Sequence, residues 1–440
     1  MGVFLVRNCD IADFDTLGQS RKDILIEGNT VTRIEDKIES NGTETVIDAN
    51  GMLAMPGFVD CHTHLMQTFC KGYLDDYPIT DWLIRMFNIE GLMSEEDNYY
   101  AVLLGCLEGL RFGTTTINDM CGYTYIDSTV QAILDSGMRG TVGMSHTDIA
   151  ENEVTPLISV EEALKQSEEI FTRYHNSYDD MIRVACAPAG LPACSKEIMQ
   201  ALKQFARERK TVFHTHLAEG KKETKDVYDR TDMWEGETLF EYGILDEYTL
   251  LAHSIWLEDY ELDLIKKAGA NPVHCPSTNM KISDGIPKIQ AMLERDINVC
   301  IGCDGEASSS SRDMVREARA GAYLQKGVTL NPAAMDLSTT YKMLTQNGAR
   351  ALHYDYLGSI EVGKRADFIL VDTKSDLSLS NQQTRMSNFL YAGTGHAVDT
   401  AFVNGNLVLR NTVLQSVDLN KVLEKSEELL AKLDKKVATL

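Results

Sequence analysis

The chain has 440 residues, a length that suits one large α/β barrel with an appendage or two to three ordinary domains. Hydrophobic residues make up 43% of it and charged residues 25%, which is typical of a folded globular protein and excludes a largely disordered one. Asp and Glu total 66 against 42 Lys and Arg, so the formal net charge is −24. Because this charge repels phosphate groups, we expect neither nucleic acid nor a membrane surface as a partner.

The amino terminus and the cysteines indicate the compartment. The first residues, "MGVFLVRNCDIADFD", lack the basic start and the long apolar run of a signal peptide, and no stretch of about 18 apolar residues predicts a membrane helix. The 10 cysteines are scattered and are not spaced as a disulfide framework. We therefore expect a cytoplasmic protein with reduced thiols.

Short alternating runs at both ends of the chain predict antiparallel β-strands. They occupy residues 3–7, 23–27, 30–34, 45–48, 366–372, 400–410 and 412–416. Asn404-Gly405 between two apolar runs is a strong hairpin signal. We predict one β-sandwich subdomain built from residues 1–56 and 357–416, followed by an amphipathic C-terminal helix over 417–440.

Between these ends, residues 57–356 alternate apolar strands with helical stretches such as 159–175 and 195–209. The candidate strands occupy residues 57–64, 114–120, 139–145, 183–189, 211–217, 249–255, 271–277 and 298–304. Strands that alternate with helices form a parallel sheet, and eight such repeats predict a closed (β/α)8 barrel.

Side chains that can bind a metal collect at the carboxyl ends of these strands, where barrel enzymes keep their active sites. They are His62 and His64 on strand one, His214 and His216 on strand five with Glu219 just beyond, His253 on strand six, His274 on strand seven and Asp304 on strand eight. Because side chains alternate faces along a strand, His62 and His64 point the same way, into the barrel. Converging imidazoles and a carboxylate predict a catalytic metal site suited to zinc or iron.

Other metal-binding patterns carry less weight. Four further histidines are expected to be structural: His146, His175, His353 and His396. Cys300 and Cys303 form a C-x-x-C, but residues three apart on a strand face opposite sides, so we expect buried thiols rather than a metal site. The separate zinc-deaminase fold is excluded because its P-C-x-x-C signature is absent.

Six motifs occur in a characteristic order along the whole chain. They are "PGFVDCHTHL" (56–65), "HTHLAE" (214–219), "LLAHSIWL" (250–257), "HCPSTNMKI" (274–282), "IGCDG" (301–305) and "LGSIEVGKRADFILVD" (357–372). This set resembles the amidohydrolase superfamily, in particular its branch of cytosine, guanine and S-adenosylhomocysteine deaminases and s-triazine hydrolases. The resemblance implies a metal-dependent enzyme with a (β/α)8 barrel.

The resemblance also implies a role for each matching residue. The implied metal ligands are His62, His64, His216 and Asp304. His216 is preferred over His214 because the family ligand precedes Leu-x-Glu, so His214 is expected to be a structural neighbour. Glu219 is implied to carry protons, His253 to stabilise an oxyanion, and Asp304 to act in catalysis as well as in ligation. Strand four (183–189) lacks the lysine of two-metal members, which implies one divalent metal, zinc first and iron second.

The segment after strand one, residues 66–97, is expected to form a lid and one wall of the pocket. Gln67 stands where related guanine and triazine enzymes keep a glutamine, and its amide can pair with a ring edge. Trp82 can stack on a planar heterocycle. Ser308, in the serine run after Asp304, is expected to donate to the substrate.

Two further positions bear on the substrate. Arg139 is expected to supply a polar contact in the pocket. Ala189 stands where adenosine-type deaminases usually show histidine and guanine deaminases show arginine, so the sequence does not name the heterocycle.

The sequence thus predicts a hydrolytic deaminase of an amino-substituted N-heterocycle such as a purine, pterin, pyrimidine or nucleoside. One alternative is an s-triazine chlorohydrolase or alkylamine hydrolase, which displaces a different leaving group. Another is a non-catalytic amidohydrolase-like scaffold, which retention of every implied ligand disfavours. We expect a small heterocyclic substrate as the partner and a homodimer as the assembly.

Overall fold

The computed structural model describes residues 2–150 and 152–440. The strands, in chain order, are β1 (Val3–Asp13), β2 (Gly18–Glu27), β3 (Thr30–Glu35), β4 (Thr45–Asp48), β5 (Met52–Pro56), β6 (Phe58–His64), β7 (Thr114–Cys121), β8 (Arg139–His146), β9 (Ile182–Val184), β10 (Ala187–Pro188), β11 (Phe213–Leu217), β12 (Thr249–His253), β13 (Asn271–His274), β14 (Cys300–Ile301), β15 (Asp304–Gly305), β16 (Phe368–Asp372), β17 (Val398–Val403), β18 (Asn406–Arg410) and β19 (Val413–Leu414).

The α-helices lie mostly between the barrel strands. In chain order they are α1 (Ile79–Leu92), α2 (Glu95–Arg111), α3 (Ile126–Ser136), α4 (Val160–Tyr174), α5 (Ser177–Asp180), α6 (Lys196–Arg209), α7 (Lys221–Thr231), α8 (Glu235–Glu241), α9 (Asp259–Ala268), α10 (Pro276–Lys281), α11 (Ile289–Leu293), α12 (Glu306–Ser309), α13 (Met314–Thr329), α14 (Leu337–Leu344), α15 (Gln346–Ala351), α16 (Arg385–Tyr391) and α17 (Leu419–Val437). Short 3-10 segments lie at Leu65–Cys70, Leu191–Ala193, Leu377–Leu379, Gln382–Thr384 and Gly395–Ala397.

Strands from the two ends of the chain form one sheet. Its hydrogen-bonded order is β19-β18-β17-β16-β5-β1-β2-β3, with β4 paired to β1. The two ends meet where β5 runs antiparallel to β16. The predicted hairpin between β17 and β18 is present, with φ of 50° at Asn404 and 74° at Gly405.

The middle of the chain forms the predicted parallel strands in the predicted order. β6, β7 and β8 pair in parallel, β9 and β10 continue from β8, and β11 to β14 pair in parallel. Parallel bridges from Cys186 to Phe213 and from Gly190 to His216 join the two groups. Asp304 and Gly305 pair with Thr63 and His64 of β6, so the last strand returns to the first and the ring closes.

Three predicted strands differ in detail. The fourth is split into β9 and β10, and the eighth into β14 and β15. Asp304 follows the second break with φ of +64°, a backbone conformation that interrupts regular pairing. The seventh strand ends at His274 because Pro276 opens α10, and proline suits the first turn of a helix.

The predicted helices begin at polar caps. Ser159, Ser195 and Asp418 each accept a backbone N–H of the first turn of α4, α6 and α17. The C-terminal helix α17 packs Leu429 and Leu433 into an apolar cluster that includes residues of α1.

Arg139 corrects one prediction. It lies at the amino-terminal start of β8, fully buried, and its guanidinium pairs with Asp367 at 3.2 Å. The start of a barrel strand faces away from the active end, so Arg139 joins the barrel to the β-subdomain and supplies no contact to the pocket.

Two further properties of the fold are the state of the cysteines and the apolar length of the helices. All ten cysteines are buried thiols outside any disulfide, including Cys300 and Cys303. In the described ranges, no helix is both long and apolar enough to span a bilayer.

Candidate active site

Four side chains from three strand ends converge at one point of the barrel. His62 and His64 come from β6, His216 from β11 and Asp304 from β15. Oδ1 of Asp304 lies 3.2 Å from Nε2 of His62 and 3.5 Å from Nε2 of His64. Nε2 of His64 lies 3.3 Å from Nε2 of His216.

The hydrogen bonds of two imidazoles leave the unprotonated Nε2 of each ring facing the centre of this cluster. Nδ1 of His64 donates to the carbonyl of Met120 at 2.9 Å, and Nδ1 of His216 donates to the carbonyl of Ala189. In a neutral ring, a proton on Nδ1 leaves Nε2 as an acceptor. Two acceptors 3.3 Å apart repel each other unless a cation lies between them.

The spacing of the donors matches a tetrahedral ion. Ligands about 2.0–2.1 Å from zinc in a tetrahedral arrangement lie about 3.3–3.4 Å from each other. The observed separations run from 3.2 to 3.5 Å. The donor atoms of His62, His64 and Asp304 lie within 4.8 Å of one another, and so do those of His62, His216 and the neighbouring His253. The residues therefore fit a divalent metal.

His214 lies behind His62 rather than in the cluster. Its Nε2 is 2.9 Å from Nδ1 of His62, and its own Nδ1 is 3.0 Å from the side-chain amide nitrogen of Asn118. This places His214 as a buried neighbour that fixes the ring of His62, and ligand orientation by such outer partners is common in metal sites.

Burial and charge pairing set the protonation states of His62, His216 and Asp304. Burial lowers the pKa of His62 to about 4 and holds the pKa of His216 well below its usual range. Burial opposes the ionisation of Asp304, but the facing imidazole of His62 holds the pKa of that carboxyl well below its usual range. Neutral imidazoles beside an ionised carboxylate are the donor set that a metal cation requires.

Glu219 and His253 stand beside the cluster. Oε1 of Glu219 lies 3.4 Å from Nε2 of His253, whose Nδ1 donates to Oδ1 of Asn279 at 2.9 Å. The backbone has positive φ at Ala218 (47°) and His253 (68°), as it does at Asp304. Such conformations persist only where the surroundings enforce them, and they concentrate at functional sites.

Comparison with known proteins bears on this geometry. The Amidohydrolase family profile matches residues 53–408. The chain belongs to the amidohydrolase family.

Relatives of this amidohydrolase include nucleoside deaminases. It is 33% identical over 420 residues to 5'-deoxyadenosine deaminase of Methanothermobacter thermautotrophicus, covering 95% of this chain and 96% of that protein. It is 31% identical to 5-methylthioadenosine/S-adenosylhomocysteine deaminase of Thermoanaerobacter pseudethanolicus, covering 92% and 93%. These relatives confirm the predicted class, a hydrolytic deaminase that acts on a C–N bond of an amino-substituted heterocycle.

Solved structures confirm the predicted fold class. The chain superposes with a TM-score of 0.91 on an adenosine deaminase from Xanthomonas campestris with bound zinc, at 24% identity and 98% coverage of both chains. It also superposes with a TM-score of 0.91 on zinc-bound atrazine chlorohydrolase TrzN from Arthrobacter aurescens TC1, at 21% identity and coverage of 97% and 100%. Members of the amidohydrolase family are metal-dependent, which agrees with the donor cluster of this chain.

A cavity of the amidohydrolase opens above the cluster. His64, His216, Glu219, His253 and Asp304 line its floor. Met66, Gln67 and the apolar face of α1 form one wall, so the segment after β6 walls the pocket as predicted. Small residues also line the cavity: Ser145, Ala189, Gly190 and Ala193.

The three residues predicted to bind substrate all line this cavity, and their roles stay predictions. The side-chain amide of Gln67 lies 3.4 Å from Oε1 of Glu90, and its Oε1 is buried without a hydrogen-bond partner in the described chain. The indole N–H of Trp82 is likewise unpartnered there. Ser308 donates to Oδ2 of Asp304 at 3.1 Å, which also gives it a part in orienting that carboxylate.

Sequence reasoning missed three carboxyls of the cavity. Glu90, Glu223 and Glu235 line it, and burial raises the pKa of Glu90 to about 8 and that of Glu235 to about 7. The only signal for Glu90 is an acid within the mostly apolar stretch "WLIRMFNIEGL". Surface helices commonly carry such acids, and only the packing of α1 over the barrel turns this one inward.

The histidines expected to be structural have partners away from the cluster. His146 is 3.4 Å from Oε1 of Gln166, and His175 accepts the backbone N–H of Val184 at 3.1 Å. Other contacts away from the cluster hold His353, which is near the carbonyl of Glu247, and His396, whose ring packs edge-on against Phe112.

Proposed function

We propose that this amidohydrolase deaminates adenosine-type nucleosides, with one zinc ion held by His62, His64, His216 and Asp304 and iron as the alternative metal. The observation that carries the proposal is the pairing of the donor cluster with Glu219 and His253 at the floor of one cavity. The named activities of the relatives select adenosine-type substrates within the deaminase class.

The metal, when bound, lowers the pKa of a water toward about 7, so that a hydroxide nucleophile exists at neutral pH. Glu219 would take one proton of that water and deliver it to the ring nitrogen next to the carbon under attack, and it would then pass the second proton, from the added oxygen, to the departing amine. His253 would stabilise the negative charge that develops on the added oxygen, and Asp304 would hold the proton of that oxygen until it is passed on. Ammonia leaves and the ring keeps the oxygen.

The charge of the cavity indicates the kind of nucleoside. Glu90, Glu223 and Glu235 line it away from the cluster, whereas no Lys or Arg in the described ranges does so. The carboxylate of the homocysteine group of S-adenosylhomocysteine would therefore find no cation there. We therefore propose a neutral 5' group, as in 5'-deoxyadenosine or 5'-methylthioadenosine, in preference to S-adenosylhomocysteine.

The test measures ammonia release from the zinc-loaded enzyme across a matched panel: 5'-deoxyadenosine, 5'-methylthioadenosine, S-adenosylhomocysteine, guanine, cytosine and an s-triazine. We expect the highest kcat/KM for the first two and at least about 10-fold less for S-adenosylhomocysteine. Equal kcat/KM values for all three nucleosides would contradict the preference for a neutral 5' group but would leave the deaminase activity in place. Turnover of the s-triazine alone would replace the proposed function with the hydrolase alternative.

A further inference from the structure

Arg312 is a buried cation directly behind the metal ligand Asp304. Its side chain is 3% exposed. Its Nη1 donates to the backbone carbonyl of Asp304 at 2.9 Å and contacts Oδ2 of Asp60 at 3.4 Å. Arg312 does not line the cavity and therefore does not reach the substrate.

Asp60 also binds the backbone next to Asp304. It lies on β6, two residues before His62, and its Oδ1 accepts the backbone N–H of Cys303 at 2.9 Å. Arg312 and Asp60 thus hold both the carbonyl of Asp304 and the backbone N–H of the residue just before it, Cys303. Together they lock the ends of the first and last barrel strands to each other.

This bracing acts on a strained residue. Asp304 has φ of +64°, in the left-handed region that an L residue with a side chain rarely adopts. Such a conformation persists only when its surroundings over-determine it. Without the guanidinium, the carbonyl of Asp304 loses its donor and the backbone is free to relax.

Glu306 continues the network toward the pocket wall. Its carboxylate lies 3.7 Å from Nε of Arg312, accepts the hydroxyl of Thr68 at 2.6 Å and pairs with Nζ of Lys71 at 2.8 Å. Thr68 belongs to the 3-10 segment after β6, which also carries Gln67. Two buried acids and two cations therefore alternate from Asp60 to Lys71, a balance that a buried charge network needs.

We propose that Arg312 is a positioning residue that holds Asp304 in the geometry of a metal ligand. The inference rests on the metal site of the proposed function. In this proposal the network of Asp60, Arg312 and Glu306 orients the carboxylate of Asp304, in addition to any contribution to folding.

The experiment compares two buried arginines of the same full-length protein. Arg312→Gln removes the brace, and Arg139→Gln removes a similarly buried Arg–Asp pair at the opposite end of the barrel. For each variant and for wild type, zinc affinity is measured by competition with a chromogenic chelator, together with kcat, KM and melting temperature. Arg312→Lys serves as a second variant that keeps the charge but lacks the guanidinium that spans from the carbonyl of Asp304 at Nη1 to Glu306 at Nε.

We expect Arg312→Gln to bind zinc about 10- to 100-fold more weakly, the usual range for loss of an outer partner of a metal ligand. Its kcat should fall with little change in KM, and Arg312→Lys should show an intermediate loss of affinity. Arg139→Gln should lower the melting temperature while zinc affinity and kcat per folded molecule stay at the wild-type values.

The inference is overturned if Arg312→Gln, or Arg312→Lys should the first variant not fold, binds zinc as wild type does. It is also overturned if Arg139→Gln weakens zinc as much as Arg312→Gln, since the effect would then be general destabilisation. A wild-type protein that binds zinc but deaminates no nucleoside would instead contradict the proposed function.

Discussion

At the scale of single residues, the site combines side chains that neighbouring groups orient and side chains whose chemistry burial sets. His64 and His216 are fixed by backbone carbonyls, and His62 by His214. Removal of a ligand and removal of a proton carrier should therefore have separable effects.

His216→Ala should lose most of the bound metal and nearly all turnover, because it deletes one of the four donors and leaves the others 3.2 to 3.5 Å apart with no closing ligand. Elemental analysis and ammonia release on the same preparation check this. His146→Ala is the matched control, since His146 contacts Gln166 outside the cluster. Equal metal and equal rates in His216→Ala and wild type would show that the ligand assignment is wrong.

Glu219→Gln should retain the metal and the melting temperature while turnover falls by about 100-fold or more, because the amide keeps the shape but carries no proton. Metal content, thermal unfolding and rate are measured on one preparation. A structural glutamate would show the reverse pattern, a lower melting temperature with little loss of rate per folded molecule.

The raised pKa of Glu90 predicts a pH-dependent stability. Burial raises its pKa from 4.5 to about 8, so between these values the folded chain holds a proton that the unfolded chain releases. The free energy of unfolding contributed by this group is therefore fully present below about pH 4.5 and is lost as the pH rises through 8.

Glu90→Gln removes this dependence. The melting temperatures of wild type and variant, measured from pH 5 to pH 9, should converge at the acid end, and the variant should be the more stable at the alkaline end. Parallel curves across the range would mean that Glu90 ionises normally in the folded protein.

At the scale of elements, the C-terminal helix α17 supports the wall of the pocket. Leu433 is buried in the cluster that contains Trp82 and Met86 of α1, and Nζ of Lys436 donates to the carbonyl of Leu92 at the end of α1 at 2.8 Å. The position of α1 over the cavity therefore depends on a helix that comes from the far end of the chain.

Leu433→Ala should lower stability by about 2–5 kcal/mol, the usual range for a buried leucine, and should raise KM more than it lowers kcat. Leu423→Ala on the same helix is the control, because Leu423 is 40% exposed. Thermal unfolding and steady-state kinetics separate the two variants. An unchanged KM in a destabilised Leu433→Ala would show that α17 stabilises the fold without shaping the pocket.

At the scale of the whole molecule, the sheet of the two chain ends and the barrel depend on each other. β5 pairs with β16, and Arg139 of β8 pairs with Asp367 just before β16. A protein of residues 57–356 should then be insoluble or unstable, because the barrel loses the surface that covers it. Cooperative thermal melting of that shortened protein would contradict this dependence. Size-exclusion chromatography of the full chain tests the expected homodimer.

Much of this architecture was predictable because it depends on local patterns. Alternating apolar runs and the Asn404-Gly405 turn predict elements from a few adjacent residues. His62 and His64 lie two apart on one strand, so they share a face in any parallel barrel. The implied ligand set needed the resemblance as well, since nothing local distinguishes His216 from His214.

What the sequence determined by itself is therefore the order of the elements and the chemistry carried at each strand end. The tertiary structure alone decided which distant charges meet. It turned Arg139 away from the pocket and Glu90 into it, and it set Arg312 against the carbonyl of Asp304. The reason is physical: backbone propensity acts over a few residues, whereas burial and charge pairing depend on contacts such as that between Asp60 and Arg312, which lie far apart in the chain.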